Sequence, residues 1–408
     1  MTGSLFSGGA RMLGTEAIEL TLMSLRAYWD KHDHVAVAWS GGKDSTATLT
    51  MIIHLIDAGE LPQPQRLWVF YADTRQELPP IAAAAELMMA KLRLRNWITV
   101  EVVRAPMDKR FMVYMLGRGV PPPNNNTLRW CTRQIKVDPM TAAIERALEH
   151  IPGTVLMITG VREGESAVRD GRISMSCSKD GAECGQGWYQ QVLPMAKGIR
   201  GRVATLAPIL HWRVCTVWDW LMIYAPQPEF GGWDTRILAD AYGGDEAVEV
   251  NARTGCIACP LAAEDVALKT VVAMPAWTWL APLLQLRPVY RSLRLMKNRL
   301  RKAEPEVLKD GTLSKSGQRA GPVKLDVRLE ALEKVLAIQK TCNDARPETA
   351  PALDILNVEE ESRIRELIAA KTWPQRWDGS EVSADAWLDK INADGTVEPI
   401  MFRELVGS

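Results

Sequence analysis

The sequence predicts a doubly wound α/β fold: a mostly parallel sheet with helices on both faces. Three observations carry this. Short apolar or β-branched runs recur at 34–39, 66–74, 97–105 and 154–162. Longer stretches with apolar residues at helical spacing lie between them. Strict strand–helix alternation favours right-handed βαβ units, because parallel neighbours need a crossover that packs back onto the sheet.

The elements follow in order. Residues 15–31, "EAIELTLMSLRAYWDKH", have the apolar spacing of an amphipathic helix. "HVAVAW" is a buried strand, a glycine turn follows, and a helix runs to about Ala58. "PQPQ" breaks the chain before the strand "RLWVFYADT" and the helix "PPIAAAAELMMAKLRLR". "WITVEVVRA" is a third strand, and a helical stretch then runs into the loop "GRGVPPPNNNT". "CTRQIKVDPMTAAIERALEHI" reads as helix and "TVLMITGVR" as a fourth strand. Beyond about residue 170 the alternation stops. Residues 171–206 and 226–262 read as loops, "APILHWRVCTVWDWLMIY" as a helix, 264 to about 305 as helical, 306–323 as a polar linker and 325–340 as a short helix before a mixed tail. The expected organisation is one domain over 1–262 with a Cys-containing insertion, then a helical C-terminal region over 263–408.

Composition narrows the class. With 408 residues the chain can bury a large core. Lys+Arg and Asp+Glu both number 49, so any argument for nucleic acid has to be local. The N-terminal stretch lacks the apolar core of a signal peptide, and no apolar run approaches the length of a membrane span, so a cytoplasmic protein is expected. Seven unevenly placed cysteines read as thiols or metal ligands rather than a disulfide scaffold.

The most informative stretch is "AWSGGKDSTATL", where the first strand hands over to a helix. Ligands of open α/β sheets bind at the carboxyl ends of strands, facing helix N-termini. Gly41 and Gly42 allow close backbone approach, Ser40 and Ser45 offer hydroxyls, and Lys43 and Asp44 add charge. The Walker A spacing and the G-x-G-x-x-G fingerprint are both absent.

"SGGKDST" resembles the PP-loop of the ATP pyrophosphatase superfamily, whose members cleave ATP between the α and β phosphates or hold an already adenylated sulfate. Three further segments resemble its phosphoadenylylsulfate (PAPS) reductase branch: "ADTRQE" (72–77), "LRWCTRQIKVDPM" (128–140) and "GVREGESAVR" (160–169). The resemblance spans roughly 30–260 and implies an adenine nucleotide alpha hydrolase-like fold with ATP as ligand. Lys43 and the loop amides would stabilise leaving pyrophosphate. Arg162 and Arg169, beside Gly160, would face the α-phosphate or an anionic substrate, since guanidinium forks match phosphate geometry. Asp44 and Asp73, with Thr74 beside it, would hold Mg²⁺ against phosphate oxygens.

Cys177 and Cys184 lie in "SCSKDGAECGQG", and Cys256 and Cys259 in "RTGCIACP". Two glycine-flanked pairs admit a four-thiolate site, zinc or iron–sulfur, with a redox Cys-x-x-Cys as the weaker alternative. "RTGCIACP" resembles a segment of the DndC family of DNA phosphorothioation proteins, which implies a 4Fe–4S cluster. Adenylylsulfate reductases also carry one, through an adjacent cysteine pair; here Cys131 is followed by Thr132, and Cys131 is left as a sulfur carrier or buried thiol. The E-C-G-x-H segment of the reductases is missing, and Cys342 lacks its context.

Finally, "RPVYRSLRLMKNRLRK" (287–302) carries seven cations and no acid. As a helix it would place 287, 291, 294 and 298 on one face, able to meet a phosphate backbone or merely solvent. The five histidines suggest no hydrolytic triad. The expected function is ATP-driven sulfur incorporation into nucleic acid, foremost DNA phosphorothioation, with a cysteine desulfurase and DNA as partners and a homodimer as the expected assembly. The alternatives are a PAPS or adenylylsulfate reductase, a tRNA-thiolating PP-loop enzyme and a zinc-stabilised nucleotide-binding regulator.

Overall fold

The computed structural model describes residues 14–124, 128–164, 188–191 (backbone only), 201–243, 255–305, 307, 311–313, 318–392 and 394–399. Two compact units are interleaved along the chain: Met1–Asp73, Glu77–Arg104 and Asp138–Gly255 form one, and Thr74–Gln76, Ala105–Val137 and Cys256–Ser408 the other. Residues 105–137, expected inside the N-terminal domain, thus group with the C-terminal region.

The first unit holds the predicted sheet. Its strands are β1 (His34–Trp39), β2 (Leu67–Ala72), β3 (Ile98–Val103), β4 (Val155–Thr159), β5 (Trp188–Gln191) and β6 (Val203–Ala207), in the order β3-β2-β1-β4-β6-β5. Five are parallel; β5 pairs antiparallel at the edge. Alternate residues face opposite sides of a strand. Ala36, Trp68, Phe70, Val155, Met157 and Val203 pack on one face with Ala143 and Leu148 of α4 (Asp138–Leu148). Val35, Val37, Val69, Leu156 and Ile158 alternate with them and are equally buried. Burial on both faces is why these runs are almost continuously apolar.

The other helices of this unit are α1 (Gly14–Trp29), α2 (Lys43–Asp57), α3 (Pro79–Arg93) and α5 (Val214–Asp219). Nearly every side chain of α2 is buried. Its threonines fit because Thr48 and Thr50 donate to the carbonyls of Asp44 and Thr46, at 2.9 and 2.8 Å. Thr46 accepts the Trp39 indole N–H at 2.9 Å.

Two expectations change here. The alternation does not stop near 170, because β6 extends the parallel sheet beside β4. Five residues after a glycine-rich stretch carry too little pattern to stand out; the pairing of Val155 with Val203 makes the strand. The helix expected over 207–224 is only α5 followed by a wide π turn at Trp220–Tyr224, since Ala207–Trp212 finishes β6 and turns.

The second unit contains α6 (Val266–Ala273), α7 (Leu286–Ser292), α8 (Leu325–Asp344) and α9 (Val358–Ala369). It also has a small antiparallel sheet ordered β8-β7-β9, from Ala320–Val323, Arg299–Arg301 and Val382–Ser383. The expected basic helix over 287–302 is therefore corrected. α7 ends at Ser292, and the chain is a strand by Arg299.

Candidate phosphate-binding site at the β1–β4 switch point

Chain order reverses between β1, which leads to β2 and β3 on one side, and β4, which lies on the other. Crossovers on either side of such a point leave a crevice beyond the strand ends, where open α/β sheets take ligands. The loop Ser40–Gly42 leaves β1 here, and Gly160 and Arg162 follow β4.

The loop closes tightly. Gly41 has φ +75°, and a Cβ there would meet Ile81 at 3.0 Å, so both conformation and space call for glycine. The Ser45 hydroxyl donates to the Gly42 carbonyl at 3.1 Å, accepts the Ser40 N–H at 3.3 Å and lies 3.1 Å from the Ser40 hydroxyl. Gly160 lets the end of β4 touch the start of α2, since a Cβ would stand 2.5 Å from the Ser45 backbone.

Three charges are buried together. Lys43, Asp44 and Arg162 are only 5, 8 and 4% exposed. Arg162 Nε donates to Asp44 Oδ1 at 2.6 Å, and Lys43 Nζ lies 3.3 Å from Asp44 Oδ2. Arg162 also donates to the Trp212 carbonyl at 3.2 Å. Two cations against one carboxylate leave a net positive charge out of water, at the positive end of a helix whose N-cap residue, Gly42, has no side chain to cap it. An anion meets that demand, and backbone N–H groups at such a terminus suit phosphate.

Asp73 lies apart from this cluster in its bonding: its Oδ2 accepts Arg104 Nε at 2.5 Å. The two carboxylates expected to share Mg²⁺ are thus each engaged by an arginine. Thr74 belongs to the second unit, where its buried hydroxyl accepts the Gln76 N–H at 3.2 Å.

Sequence reasoning missed three participants. Tyr242 accepts the Lys43 N–H at 3.2 Å and lies 4.8 Å from Lys43 Nζ by its ring centre. The Trp212 carbonyl and Arg104 are the others. None sits in the segments that resemble the family, and Tyr242 is 199 residues from its partner.

The thiols divide. Cys177, Cys184 and Arg169 lie outside the described residues. In the second unit, Cys256 and Cys259 share a turn closed by Cys259 N–H to Cys256 O at 3.1 Å, with Ala258 between them at φ +50°. Burial, and to a lesser degree Cys259, raise the Cys131 thiol above its usual range. Burial, then Cys256, Asp265 and Cys259, likewise raise the Tyr290 phenol. The influence of Cys259 thus reaches Cys131, and thiolate donors as a class suit iron–sulfur or zinc. Among the described residues, no three His, Cys, Asp or Glu side chains already converge as a metal site. Cys342 is fully buried in α8, with its thiol pushed up to about 11 by burial.

The cations of 287–302 are mostly spent inside the second unit. Arg287 donates to the carbonyls of Ala262 and Ala263, Arg294 to Pro123 and Pro260, Arg299 to Ala320 and Gly321, Arg301 to Gln318 and Lys302 to Arg376. Arg291 and Lys297 are exposed. A continuous phosphate-facing stripe does not form.

Residues 34–224 match the family model of the phosphoadenosine phosphosulfate reductase domain. No match was found among curated proteins. Among the described residues, no helix is long and apolar enough to cross a membrane.

Proposed function

We propose, from the premise that residues 34–224 are a phosphoadenosine phosphosulfate reductase-like domain of the PP-loop superfamily, that this protein is an adenylating ATP pyrophosphatase serving sulfur incorporation into nucleic acid, foremost DNA phosphorothioation. The observation that carries the nucleotide half is the buried Lys43–Asp44–Arg162 cluster, one positive charge in excess, at the start of α2, whose N-cap Gly42 supplies no side-chain cap of its own. Lys43 and the first-turn amides would hold the pyrophosphate that leaves. Arg162, its fork fixed by Asp44 and the Trp212 carbonyl, would meet the α-phosphate. Of the two carboxylates, Asp73 is the better Mg²⁺ ligand, because its partner Arg104 is half exposed and such a pair separates at little cost.

The acceptor half rests on the resemblance of "RTGCIACP" to the DndC family, not on the basic stretch. Cys256 and Cys259 would ligate a 4Fe–4S cluster with Cys177 and Cys184, a group that supplies electrons or holds sulfur when bound. A desulfurase and DNA are the proposed partners. The second reading is a sulfonucleotide reductase, towards which the electrostatic influence of Cys259 on the Cys131 thiol points, since a reductase-like ligand set would include both. Against it, Cys342 is a buried, high-pKa thiol and a poor nucleophile.

The deciding measurement is pyrophosphate release from ATP, with and without DNA, by wild type and Lys43→Ala. Release that rises with DNA and vanishes in Lys43→Ala supports the proposal. Absence of release, with sulfite formed instead from an adenylated sulfate, replaces it by the second reading.

A further inference from the structure

Tyr242 stands at the switch point outside the family motifs. It ends the 3-10 turn Arg236–Tyr242, just before Gly243 at φ +103°. Its hydroxyl accepts the N–H of Lys43, the first residue of α2, at 3.2 Å. That amide is one of the unpaired donors every helix N-terminus presents. Its ring lies 4.8 Å from Lys43 Nζ, within reach of a cation–π attraction. Trp218 packs edge-on against it at 5.1 Å, and the ring is buried. A Cβ on Gly42 would meet the hydroxyl at 3.5 Å, so the oxygen stands directly over the loop.

A neutral phenol oxygen thus lodges where an anionic phosphate oxygen is drawn. We propose that Tyr242 is a displaceable cap: its oxygen holds the Lys43 amide in the nucleotide-free protein and yields it to a phosphate oxygen, while its ring keeps the Lys43 ammonium in place. Tyr242 is then a positioning residue that acts through Lys43. The inference rests on the nucleotide reading above. Its physical basis is exchange: an anionic acceptor bonds a backbone N–H more strongly than a neutral hydroxyl, and the helix dipole adds to the preference.

Tyr242→Phe keeps the ring and removes the competing oxygen. In the full-length protein it should bind inorganic pyrophosphate and ATP about two- to tenfold more tightly than wild type, the worth of one hydrogen bond no longer broken on binding. Tyr242→Leu removes the ring as well and should bind more weakly than Tyr242→Phe, because Lys43 loses its support. A merely structural tyrosine would weaken binding when altered, so tightening is the signature. Wild-type binding with a Tyr242→Phe affinity equal or lower overturns the cap and leaves the nucleotide reading standing. Wild type that binds neither pyrophosphate nor ATP overturns both.

Discussion

Gly160→Ala probes the site with a single methyl group. The new Cβ would stand 2.5 Å from the Ser45 N and Cα and 2.7 Å from the Asp44 carbonyl carbon. These are backbone atoms, so no rotamer relieves the overlap. Carbon atoms rest at about 3.5–4.0 Å, so the end of β4 and the start of α2 must part by about 1 Å. Overpacking of this kind costs about 1–3 kcal/mol. With a urea slope of about 1–3 kcal/mol per molar, the unfolding midpoint of the first unit should fall by roughly 1 M. The same displacement lies across the 2.6 Å Arg162–Asp44 bond. A misplacement near 1 Å can cost about a hundredfold in rate, and pyrophosphate release should drop accordingly. Gly59→Ala is the control: φ is +75°, but nothing stands within 4 Å. It should lose about 1–2 kcal/mol through left-handed strain and keep full activity, since it lies past the far end of α2. Wild-type midpoint and wild-type release in Gly160→Ala would refute the close approach of β4 to α2.

Ala258→Gly relieves a left-handed alanine inside the Cys-x-x-Cys turn, so the second unit should gain about 1 kcal/mol, read as a higher melting temperature. An unchanged melting temperature would count against the turn's strain. Cys177→Ser or Cys184→Ser should strip iron from anaerobically reconstituted protein if the proposed quartet holds; iron lost only from Cys131→Ser assigns the ligand to Cys131 instead. His211 and His54 both have pKa values depressed below 6.5, chiefly by burial. The folded state therefore sheds protons that the unfolded state keeps. Their stability contribution is complete above about pH 6.5 and is lost as pH falls through the depressed folded values. The drop in melting temperature between pH 7.5 and 5.5 should shrink in a His54→Gln/His211→Gln double variant, and an equal drop would sink the assignment.

Local signals sufficed wherever one segment carried its own pattern. The runs 34–39, 67–72 and 155–159 announced themselves as strands because burial on both faces demands nearly unbroken apolar residues, and the half-buried edge run 98–103 did so by its β-branched residues. Ser40–Ser45 announced a phosphate loop because glycine, hydroxyl and lysine at a strand–helix junction have few other uses together. Partnerships between distant segments were illegible. Val203–Ala207 is a strand only because β4 offers its edge, and the basic run 287–302 breaks because its arginines find carbonyls elsewhere in the same unit. Arg328 is the extreme case: a fully buried cation bonded to the carbonyls of Gly117, Val323 and Thr372, with a pKa drawn down to about 9 by burial. At the site, the sequence by itself determined which groups could meet a phosphate. Only tertiary structure decided that Asp44 neutralises one of two buried cations and that Tyr242 caps the Lys43 amide. Periodicity and spacing are properties of one segment, whereas a hydrogen bond across 118 or 199 residues exists only once the chain has closed those loops and paid their entropy.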